Sequence, residues 1–291
     1  MALDLTLAVD IGGTKLAAGN VDAAGALRWR ATIPTPVTAD AEVLWGALSG
    51  LIAQAPPGAV ACGVGCGGPM RDHGEVVSPL NIPAWRDFPL RRRLSELSGI
   101  PVHIDNDAKA LALAEGWKGA TAGVTSFIAM VVSTGVGGGI VLNGRLLEGE
   151  SGNAGHVGHV IVEPDGRACS CGARGCLEAE ASGTAIAALT GRPAAEAPPE
   201  VVARTGNLVG RAVASVANLL DLQLAVVGGS VALGFGAPFF VAAQQALEDA
   251  ARLDFSSSAR IVPAGLGPDG PLLGAAAVAW HREGLLATGP G

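Results

Sequence analysis

The 291-residue chain is long enough for two domains, and its 49% hydrophobic and 15% charged residues exclude extended disorder. A net charge of −7, with no basic run longer than the three arginines at 91–93, argues against nucleic acid as a partner. The first twenty residues lack the basic segment and cleavage site of a signal peptide, and glycines and polar residues interrupt the uncharged stretch 124–143. We therefore expect a cytoplasmic protein without a membrane span.

The first elements predict a hairpin with a glycine-rich tip. An apolar strand at 3–9 leads into the motif DIGGTK, from Asp10 to Lys15, and a second apolar strand follows at 16–21. The backbone N–H groups of such a tip are accessible to phosphate oxygens. Asp10 can hold Mg²⁺ through water, while Thr14 and Lys15 can donate hydrogen bonds. An ordinary hairpin turn explains this stretch equally well.

Strands and helices alternate after the hairpin. The patterns predict a strand at 26–33, a helix at 41–55, a buried strand at 60–66, a helix at 91–97 and a short strand at 102–104. Gly68 follows the buried strand in a loop where a ligand can approach the backbone, and Asn81 lies in a proline-rich loop.

Three polar residues, Asp105, Asn106 and Asp107, precede a helix predicted at 108–118. Asp107 is suited to cap this helix. Three adjacent polar groups exceed what a cap requires, however. A helix N-terminus also favours the ionised form of a carboxyl group, so Asp107 can accept a proton.

A second glycine-rich hairpin is predicted about 125 residues after the first. A strand at 126–132 is followed by the tip Ser133 to Gly139 and by a strand at 140–142. This layout repeats that of residues 5–21, which suggests a duplicated domain whose halves each supply one phosphate-binding hairpin to a shared cleft. The candidate phosphate contacts of the second tip are Thr134, Gly135, Gly137 and Gly138.

The segment 148–178 carries three of the five cysteines and two of the five histidines. Its C-x-C-x4-C spacing, with a histidine ahead of it, matches a four-ligand Zn²⁺ site, whose closed shell would be structural and not catalytic. Three buried or disulfide-paired cysteines are the alternative, but a disulfide framework suits small secreted chains. The predicted ligands are His159, Cys169, Cys171 and Cys176. The nearby His156 and Glu178 are then free to bind a polyhydroxylated ligand.

The remaining elements complete an α/β pattern. Helices are predicted at 182–189, 199–222, 238–253 and 272–286, and strands at 224–227 and 260–263. The strand at 224–227 runs into Gly228 and Gly229, where a nucleoside can lie against the backbone; an ordinary turn is the alternative.

Together these motifs resemble the ROK family of sugar kinases and repressors. The matching pieces are DIGGTK at 10–15, IDNDA at 104–108, STGVGGGIVLNG at 133–144, GNAGHVGHV with CSCGARGCLE within 152–178, and VVGGS at 226–230. The resemblance implies a duplicated actin-like, ribonuclease-H-like fold with two domains flanking a cleft. We expect a small domain at 1–118, joined by a C-terminal helix at 272–291, and a large domain at 119–271 with a zinc loop at 156–178.

The resemblance also implies roles for particular residues, with ATP and Mg²⁺ in the cleft and Asp107 as the catalytic base. The expected sugar contacts are Gly68, Asn81, Asn106, Asp107, His156, His159 and Glu178. The expected ATP contacts are Asp10, Gly12, Gly13, Thr14, Lys15, Thr134, Gly135, Gly137, Gly138, Gly228 and Gly229. The expected assembly is a homodimer or homotetramer.

Three residues depart from the family pattern. His156 stands where many glucokinases of the family have Glu. Some N-acetylmannosamine kinases resemble this chain in having His there. Lys109 stands where Asn is frequent, and Gly67 where Pro is common. Neutral imidazole offers one donor and one acceptor, which suits a sugar altered near carbon 2.

The expected reaction is ATP-dependent phosphorylation of the 6-hydroxyl of a hexose. Glucose is favoured because glucose kinases are the commonest enzymes of the family, and N-acetylmannosamine or another amino sugar is the alternative. A sugar-sensing regulator would carry a DNA-binding segment before the first hairpin. We expect no room for such a segment here, because the hairpin begins by residue 5. A zinc hydrolase would need an open metal position, which four protein ligands do not leave.

Overall fold

The computed structural model describes residues 5–286 of the chain. Its first half alternates strands with helices, as the sequence predicts. The elements are β1 (Leu5–Ile11), β2 (Lys15–Asp22), β3 (Leu27–Pro34), α1 (Ala41–Ile52), β4 (Ala61–Cys66), β5 (Met70–Arg71), β6 (Val76–Val77), α2 (Leu90–Ser98), β7 (Val102–Asn106) and α3 (Asp107–Lys118). The short strands β5 and β6 pair with each other in a small separate sheet.

The second half has a longer insertion between its third strand and the strand that follows, and this insertion carries the cysteine-rich segment. The elements are β8 (Phe127–Val132), β9 (Val136–Leu142), β10 (Arg145–Leu146), α4 (Leu177–Ala181), α5 (Gly183–Thr190), α6 (Pro199–Leu220), β11 (Leu224–Gly228), α7 (Ser230–Phe235), α8 (Ala237–Ala250), β12 (Arg260–Pro263) and α9 (Gly270–Arg282).

Two five-stranded sheets repeat one topology. Their strand orders are β3-β2-β1-β4-β7 and β10-β9-β8-β11-β12. In each sheet the first three strands form an antiparallel meander, and the last two lie parallel to the first strand. Each strand of one sheet therefore has a counterpart in the other, which confirms the predicted duplicated α/β fold.

Two helices lie between the sheets. α9 packs on β1, β4 and β7 of the first sheet, α3 packs on β8 and β9 of the second, and the two helices pack on each other. Small residues allow this approach: an added Cβ at Gly63 would overlap the carbonyl oxygen of Ala275, and one at Gly274 would lie 2.9 Å from the Ala110 carbonyl. α9 thus packs against the first sheet, and its assignment to the small domain stays a prediction.

The outer faces of the sheets are covered by amphipathic helices. α1 presents Leu44, Leu48 and Leu51 to the first sheet, at a spacing that places them on one helical face. On the second sheet, α6 and α8 pack together over a core that contains Phe239 and Leu247. Burial of these faces anchors each half around its own apolar core.

Some boundaries differ from the sequence prediction. β9 begins at Val136 and not at residue 140, because the glycines at 137–139 continue the strand; a Cβ at Gly139 would lie 2.7 Å from the backbone of α3. α9 ends at Arg282, and residues 287–291 lie outside the described part. The domain boundary after residue 118 stays a prediction. No helix within 5–286 has the length and apolar character needed to cross a membrane.

Candidate active site

A cleft of about 630 Å³ lies between the two halves and brings together the predicted site residues. Those that line it are Asp10, Gly12, Gly13, Thr14, Lys15, Gly68, Asn81, Asn106, Asp107, Thr134, Gly135, Gly137, His156, His159, Glu178, Gly228 and Gly229. Gly138, predicted to contact phosphate, is not among the lining residues. It instead packs against the segment beyond β10, where an added Cβ would lie 2.6 Å from Val157 and 2.9 Å from the carbonyl oxygen of Gly155.

Two carboxylates meet at the floor of the cleft because β4 lies between β1, which carries Asp10, and β7, which leads into Asp107 at the start of α3. Gly65 of β4 is in register with Asp10 on one side and with Asp105 on the other, and Asp107 follows two residues later. An added Cβ at Gly65 would lie 3.9 Å from Asp10 Oδ1 and 3.7 Å from Asp107 Cα. The missing side chain therefore keeps the floor open between the two carboxylates.

Burial is the largest influence on both of these carboxyl groups. It raises the pKa of Asp10 to about 7, with the charge of Asp107 adding to the rise and Lys15 opposing it. Burial also raises the pKa of Asp107, against the opposing hydrogen bond from the Ala108 N–H, and the charge of Glu178 adds to the rise. A carboxylate with a raised pKa is a stronger proton acceptor, and two such groups in one site favour a bound cation.

The N-cap of α3 is Asn106 and not Asp107, which corrects the alternative role that the sequence offered for Asp107. Asn106 Oδ1 accepts a hydrogen bond from the Ala108 N–H at 3.0 Å, and Asp107 Oδ1 accepts from the same group at 2.8 Å. Since Asn106 fills the cap position, the carboxylate of Asp107 is available for chemistry at the first turn of the helix.

Three groups converge at one end of the cleft. An added Cβ at Gly68 would lie 3.1 Å from His156 Cε1, 3.3 Å from His156 Nε2 and 3.5 Å from Asn106 Nδ2. Burial, followed by the charges of His159 and Lys109, lowers the pKa of His156, so this imidazole is neutral at pH 7. An amide and a neutral imidazole beside an open backbone offer donors and acceptors that match sugar hydroxyls.

The two glycine-rich tips face each other across Asn81. A Cβ at Gly13 would lie 3.1 Å from Asn81 Cβ, and one at Gly135 would lie 2.7 Å from both Asn81 Nδ2 and Glu178 Oε2. Glu178 Oε2 also accepts a hydrogen bond from the Val136 N–H at 2.9 Å. Asn81 and Glu178 therefore lie where the two hairpins meet, at the junction of the predicted sugar and phosphate positions.

Hydroxyl groups that the sequence analysis did not single out tie the tips in place. Thr35 donates to the carbonyl oxygen of Gly12 at 2.7 Å, and Thr184 donates to that of Thr134 at 2.9 Å. Both threonines lie outside the hairpins they hold, and a threonine in a loop carries no distinctive sequence signal. Only the assembled fold identifies them as supports of the tips.

The other end of the cleft is formed by Gly228 and Gly229 together with a loop that sequence reasoning missed. Gly229 has a φ of 96°, and a Cβ there would overlap the carbonyl oxygen of Val132, so glycine is required. The missed loop lies between β12 and α9 and contributes Ala264, Gly267 and Pro268 to the wall, and the first residues of α9, Gly270 and Pro271, continue it. Its glycines and prolines could have been recognised as a loop, but not as part of this cleft.

The predicted zinc ligands come together beside the cleft. One donor atom from each of His159, Cys169, Cys171 and Cys176 lies within 4.8 Å of all the others. The Cys171–Cys176 Sγ separation is 3.7 Å, and that from Cys169 Sγ to His159 Nδ1 is also 3.7 Å. A tetrahedral shell with Zn–S bonds of about 2.3 Å has sulfurs about 3.8 Å apart, so the four groups fit zinc. A disulfide, with sulfurs about 2 Å apart, does not fit these distances.

The cysteine-rich loop is fixed by a buried carboxylate that the sequence analysis did not identify. Glu180, on α4, accepts a hydrogen bond from the Arg167 N–H at 2.6 Å and pairs with Arg204 at 2.6 Å. Gly175 has a φ of 67°, and a Cβ there would overlap the carbonyl oxygen of Glu163. The loop therefore depends on protein contacts at its base as well as on the four ligands.

Comparisons with known proteins agree with this geometry. The chain is 39% identical over 262 residues to an N-acetylmannosamine kinase of Shigella boydii, covering 84% of this chain and 90% of that protein. Among solved structures, it is similar to a ROK family glucokinase of Streptomyces griseus in complex with glucose and AMPPNP, with 30% identity, a TM-score of 0.85, and coverage of 95% and 99% of the two chains. A ROK hexokinase of Thermus thermophilus gives 36% identity, a TM-score of 0.76, and coverage of 96% and 99%.

The repeated sheets and the cleft with two glycine-rich tips define a protein of the actin-like class. The model of the ROK family matches residues 6–282, and the chain belongs to that family. The resemblance inferred from the motifs is thereby confirmed, and the coarse activity is that of a sugar kinase.

Proposed function

We propose that the protein is an ATP-dependent N-acetylmannosamine kinase that phosphorylates the 6-hydroxyl of the sugar. Curated relatives at 38–39% identity carry that name, including proteins of Shigella boydii and Escherichia coli. The expectation that glucose is favoured rested on how common glucose kinases are in the family, and these relatives support the amino-sugar alternative better.

The choice of an amino sugar is supported by the position of the His156 imidazole, which lies beside Gly68 and Asn106 at the sugar end of the cleft. A glutamate at this position would accept hydrogen bonds from two hydroxyls, whereas neutral imidazole accepts one and donates one. An acetamido group next to a hydroxyl presents both a carbonyl acceptor and N–H or O–H donors. His156 is therefore suited to a sugar that carries an N-acetyl group at carbon 2.

Asp107 is the proposed general base. As the 6-hydroxyl oxygen attacks the γ-phosphorus, Asp107 accepts the hydroxyl proton, the bond to the bridging oxygen of ATP breaks, and ADP leaves. Phosphoryl transfer of this kind depends mainly on positioning and charge stabilisation. We assign the positioning of the sugar to Gly68, Asn81, Asn106, His156, His159 and Glu178.

The two glycine-rich tips are the proposed phosphate sites. We assign the phosphates to the backbone N–H groups and hydroxyls of Gly12, Gly13, Thr14, Thr134, Gly135 and Gly137, with Lys15 nearby, and the adenosine to Gly228 and Gly229. Asp10 and Asp107 fit a cation by their charge and proximity, and Mg²⁺ would neutralise phosphate charge there when bound. Asp10 would hold it through water.

The cysteine-rich cluster is proposed to hold a structural zinc ion. Four protein ligands leave no position for a reacting water, so zinc would hold the loop that carries His156, His159 and Glu178. A thiolate site that must stay reduced, together with ATP as a substrate, favours a cytoplasmic location. We further propose a homodimer or homotetramer, which light scattering with size-exclusion chromatography would test.

A coupled ADP-release assay tests the substrate. The panel is N-acetylmannosamine, N-acetylglucosamine, glucosamine, mannose, allose and glucose at equal concentrations. We expect kcat/KM for N-acetylmannosamine to exceed that for glucose by about tenfold or more, since one well-placed polar contact discriminates on this scale. A value for glucose equal to or above that for every amino sugar would contradict the proposal.

The variant His156→Glu tests the residue that carries the argument. We expect it to move the ratio of kcat/KM values toward glucose, because a carboxylate favours two hydroxyls over an acetamido group. His156→Gln is the matched variant without a charge, and it should lower activity toward N-acetylmannosamine without the same gain toward glucose. An unchanged ratio in His156→Glu would remove His156 from the specificity argument.

A further inference from the structure

Lys109 is a fully buried lysine of α3, two residues after Asp107, and it takes no part in the proposed chemistry. Its Nζ lies 2.8 Å from Glu148 Oε2 and 3.8 Å from Asp105 Oδ1. It also donates to the carbonyl oxygens of Gly152 at 2.8 Å and of Glu148 at 3.4 Å. A buried ammonium group is costly unless it is paired and hydrogen-bonded, and these contacts satisfy it.

The charges around Lys109 balance. Arg282 at the end of α9 pairs with Asp105 at 2.8 Å and with Glu148 at 3.0 Å, which gives two cations and two anions. Arg282 binds these two carboxylates and contacts His73 Nδ1 at 3.4 Å, whereas Lys109 binds backbone carbonyls of the segment that follows β10. Lys109 is therefore the member of the network that fixes the course of this segment.

The segment held by Lys109 leads directly to the sugar end of the cleft. Residues 148–156, which we call the acceptor loop, run from Glu148 to His156. Asn153 in this loop accepts from the Met70 N–H at 3.3 Å and donates to the Met70 carbonyl at 3.0 Å. Met70 lies two residues after Gly68, so the acceptor loop is tied on one side to α3 and on the other to the Gly68 loop.

A second buried charge on the same helix holds the opposite end of the cleft. Glu115 is fully buried, and its carboxylate accepts hydrogen bonds from the N–H groups of Ala120 at 2.6 Å, Gly265 at 3.1 Å and Leu266 at 3.2 Å. Residues 264–271, which comprise the loop after β12 and the first two residues of α9 and which we call the nucleotide loop, contribute to the wall beside Gly228 and Gly229. Glu115 thus fixes the loop at the proposed adenosine position, as Lys109 fixes the acceptor loop.

We propose that Lys109 and Glu115 are positioning residues through which α3, the helix that carries Asp107, sets the acceptor loop and the nucleotide loop independently. This inference rests on the proposed kinase function, because it assigns one loop to each substrate. Neither side chain touches a reacting atom in this scheme. Each acts through the backbone groups that it binds.

The test is a double comparison of Michaelis constants. In Lys109→Met, which keeps side-chain length and removes the donors, we expect KM for the sugar to rise about tenfold and KM for ATP to change less than twofold. In Glu115→Gln, one acceptor oxygen becomes a donor that faces backbone N–H groups. We therefore expect KM for ATP to rise about tenfold and KM for the sugar to change less than twofold. Each constant is measured with the other substrate saturating.

Arg282→Gln is the matched control for Lys109→Met. It removes a cation from the same network but no bond to an acceptor-loop carbonyl, so we expect a lower melting temperature with a much smaller rise in KM for the sugar. If Lys109→Met does not fold, the double variant Lys109→Met/Glu148→Gln removes one charge of each sign and tests the same carbonyl bonds.

A loss of melting temperature without the split in KM values, or an equal rise of both constants in both variants, would overturn the proposal. The sugar used is whichever one the wild-type protein phosphorylates best, so an error in the identity of the sugar does not disturb the comparison. If no sugar is phosphorylated, sugar and ATP binding are measured by calorimetry. A wild-type protein that binds no sugar would overturn the acceptor-loop assignment itself.

Discussion

At the scale of single residues, the environment of the carboxylates decides the chemistry. Asp10 lies on β1 and Asp107 directly follows β7, the strands on either side of β4, and an added Cβ at Gly65 of β4 would lie within 4 Å of both residues. Their proximity and burial make the ionised pair unfavourable in the ligand-free protein. A bound cation and a hydroxyl group that donates its proton both reduce the repulsion between the two carboxylates. The proposed reaction brings both groups into the cleft.

Asp107→Asn tests the general base. We expect kcat to fall by about 10²-fold or more, since an amide cannot accept the proton, with sugar affinity little changed and no loss of melting temperature, since the variant removes a buried carboxylate. The proton is accepted only by the ionised carboxylate, whose pKa burial raises, so the wild-type rate should fall as the pH falls through that raised pKa. A variant with near-normal kcat would contradict the assignment.

Asp10→Asn tests the cost of burying a second carboxylate. The pKa of Asp10 is about 7 in the folded protein, above its ordinary value of 3.8. The contribution of this group to the free energy of unfolding is therefore fully present below pH 3.8 and is lost as the pH rises through about 7. We expect Asp10→Asn to stabilise the ligand-free protein more at pH 8 than at pH 5, with a difference on the order of 2 kcal/mol. Urea unfolding at the two pH values measures it.

Asp22→Asn is the control with the opposite sign. Hydrogen bonds from the Ala26 N–H and from Arg28 lower the pKa of Asp22, so its ionised form stabilises the protein above its ordinary pKa. Asp22→Asn should therefore lose stability at pH 8. A stabilising effect of Asp10→Asn that is equal at both pH values would show that charge is not its cause.

At the scale of elements, short loops carry most of the site and depend on fixed points in the helices. The acceptor loop is tied to α3 through Lys109, the nucleotide loop through Glu115, and the cysteine-rich loop to α4 through Glu180. Each anchor is a buried charge that bonds to backbone groups. Helices thereby determine the positions of loops that have few apolar residues of their own.

Cys171→Ser tests the metal cluster. We expect about one zinc ion per chain in the purified protein, and in the variant a lower zinc content, a lower melting temperature and a weaker affinity for the sugar. Ser170→Ala, at the exposed residue between two ligands, should change none of these. A chelated, zinc-free protein with full thermal stability and activity would contradict a structural role for the metal.

At the scale of the whole molecule, the two halves meet through α3 and α9, which lie between the sheets. The contact is close because Gly63 on β4 and Gly274 on α9 leave no side chain in the way. The cleft lies at the end of this layer, so its width depends on the packing of the two helices. Closure of the halves on the sugar would exclude water from the phosphates.

Gly63→Ala tests this packing. The added methyl group would overlap the carbonyl oxygen of Ala275, and we expect a loss of about 1–3 kcal/mol in the free energy of unfolding. Gly46→Ala, in the exposed face of α1 with nothing within 4 Å of an added Cβ, should raise stability by about 0.5–1 kcal/mol. Equal effects of the two substitutions would contradict the close approach of α9 to β4.

The sequence by itself determined the features that are local in the chain. The glycine-rich tips, the polar run after β7 and the C-x-C-x4-C spacing could be recognised because each is a contiguous pattern with one dominant physical requirement. The repeat of strand, tip and strand also indicated the duplicated fold. These features sufficed to predict the family, and of the predicted sugar and ATP contacts all but Gly138 line the cleft.

Tertiary structure alone decided the contacts between distant segments. A lysine in a helix is ordinarily exposed, and nothing near Lys109 indicates that Glu148, 39 residues later, would pair with it in the interior. The same holds for Glu115 and the loop 150 residues beyond it. Such contacts depend on how two sheets and two helices pack, and the local pattern of side chains does not contain that information. The physical reason is that burial is a property of the assembled fold, and burial decides whether a charged side chain is solvated at the surface or paired in the interior.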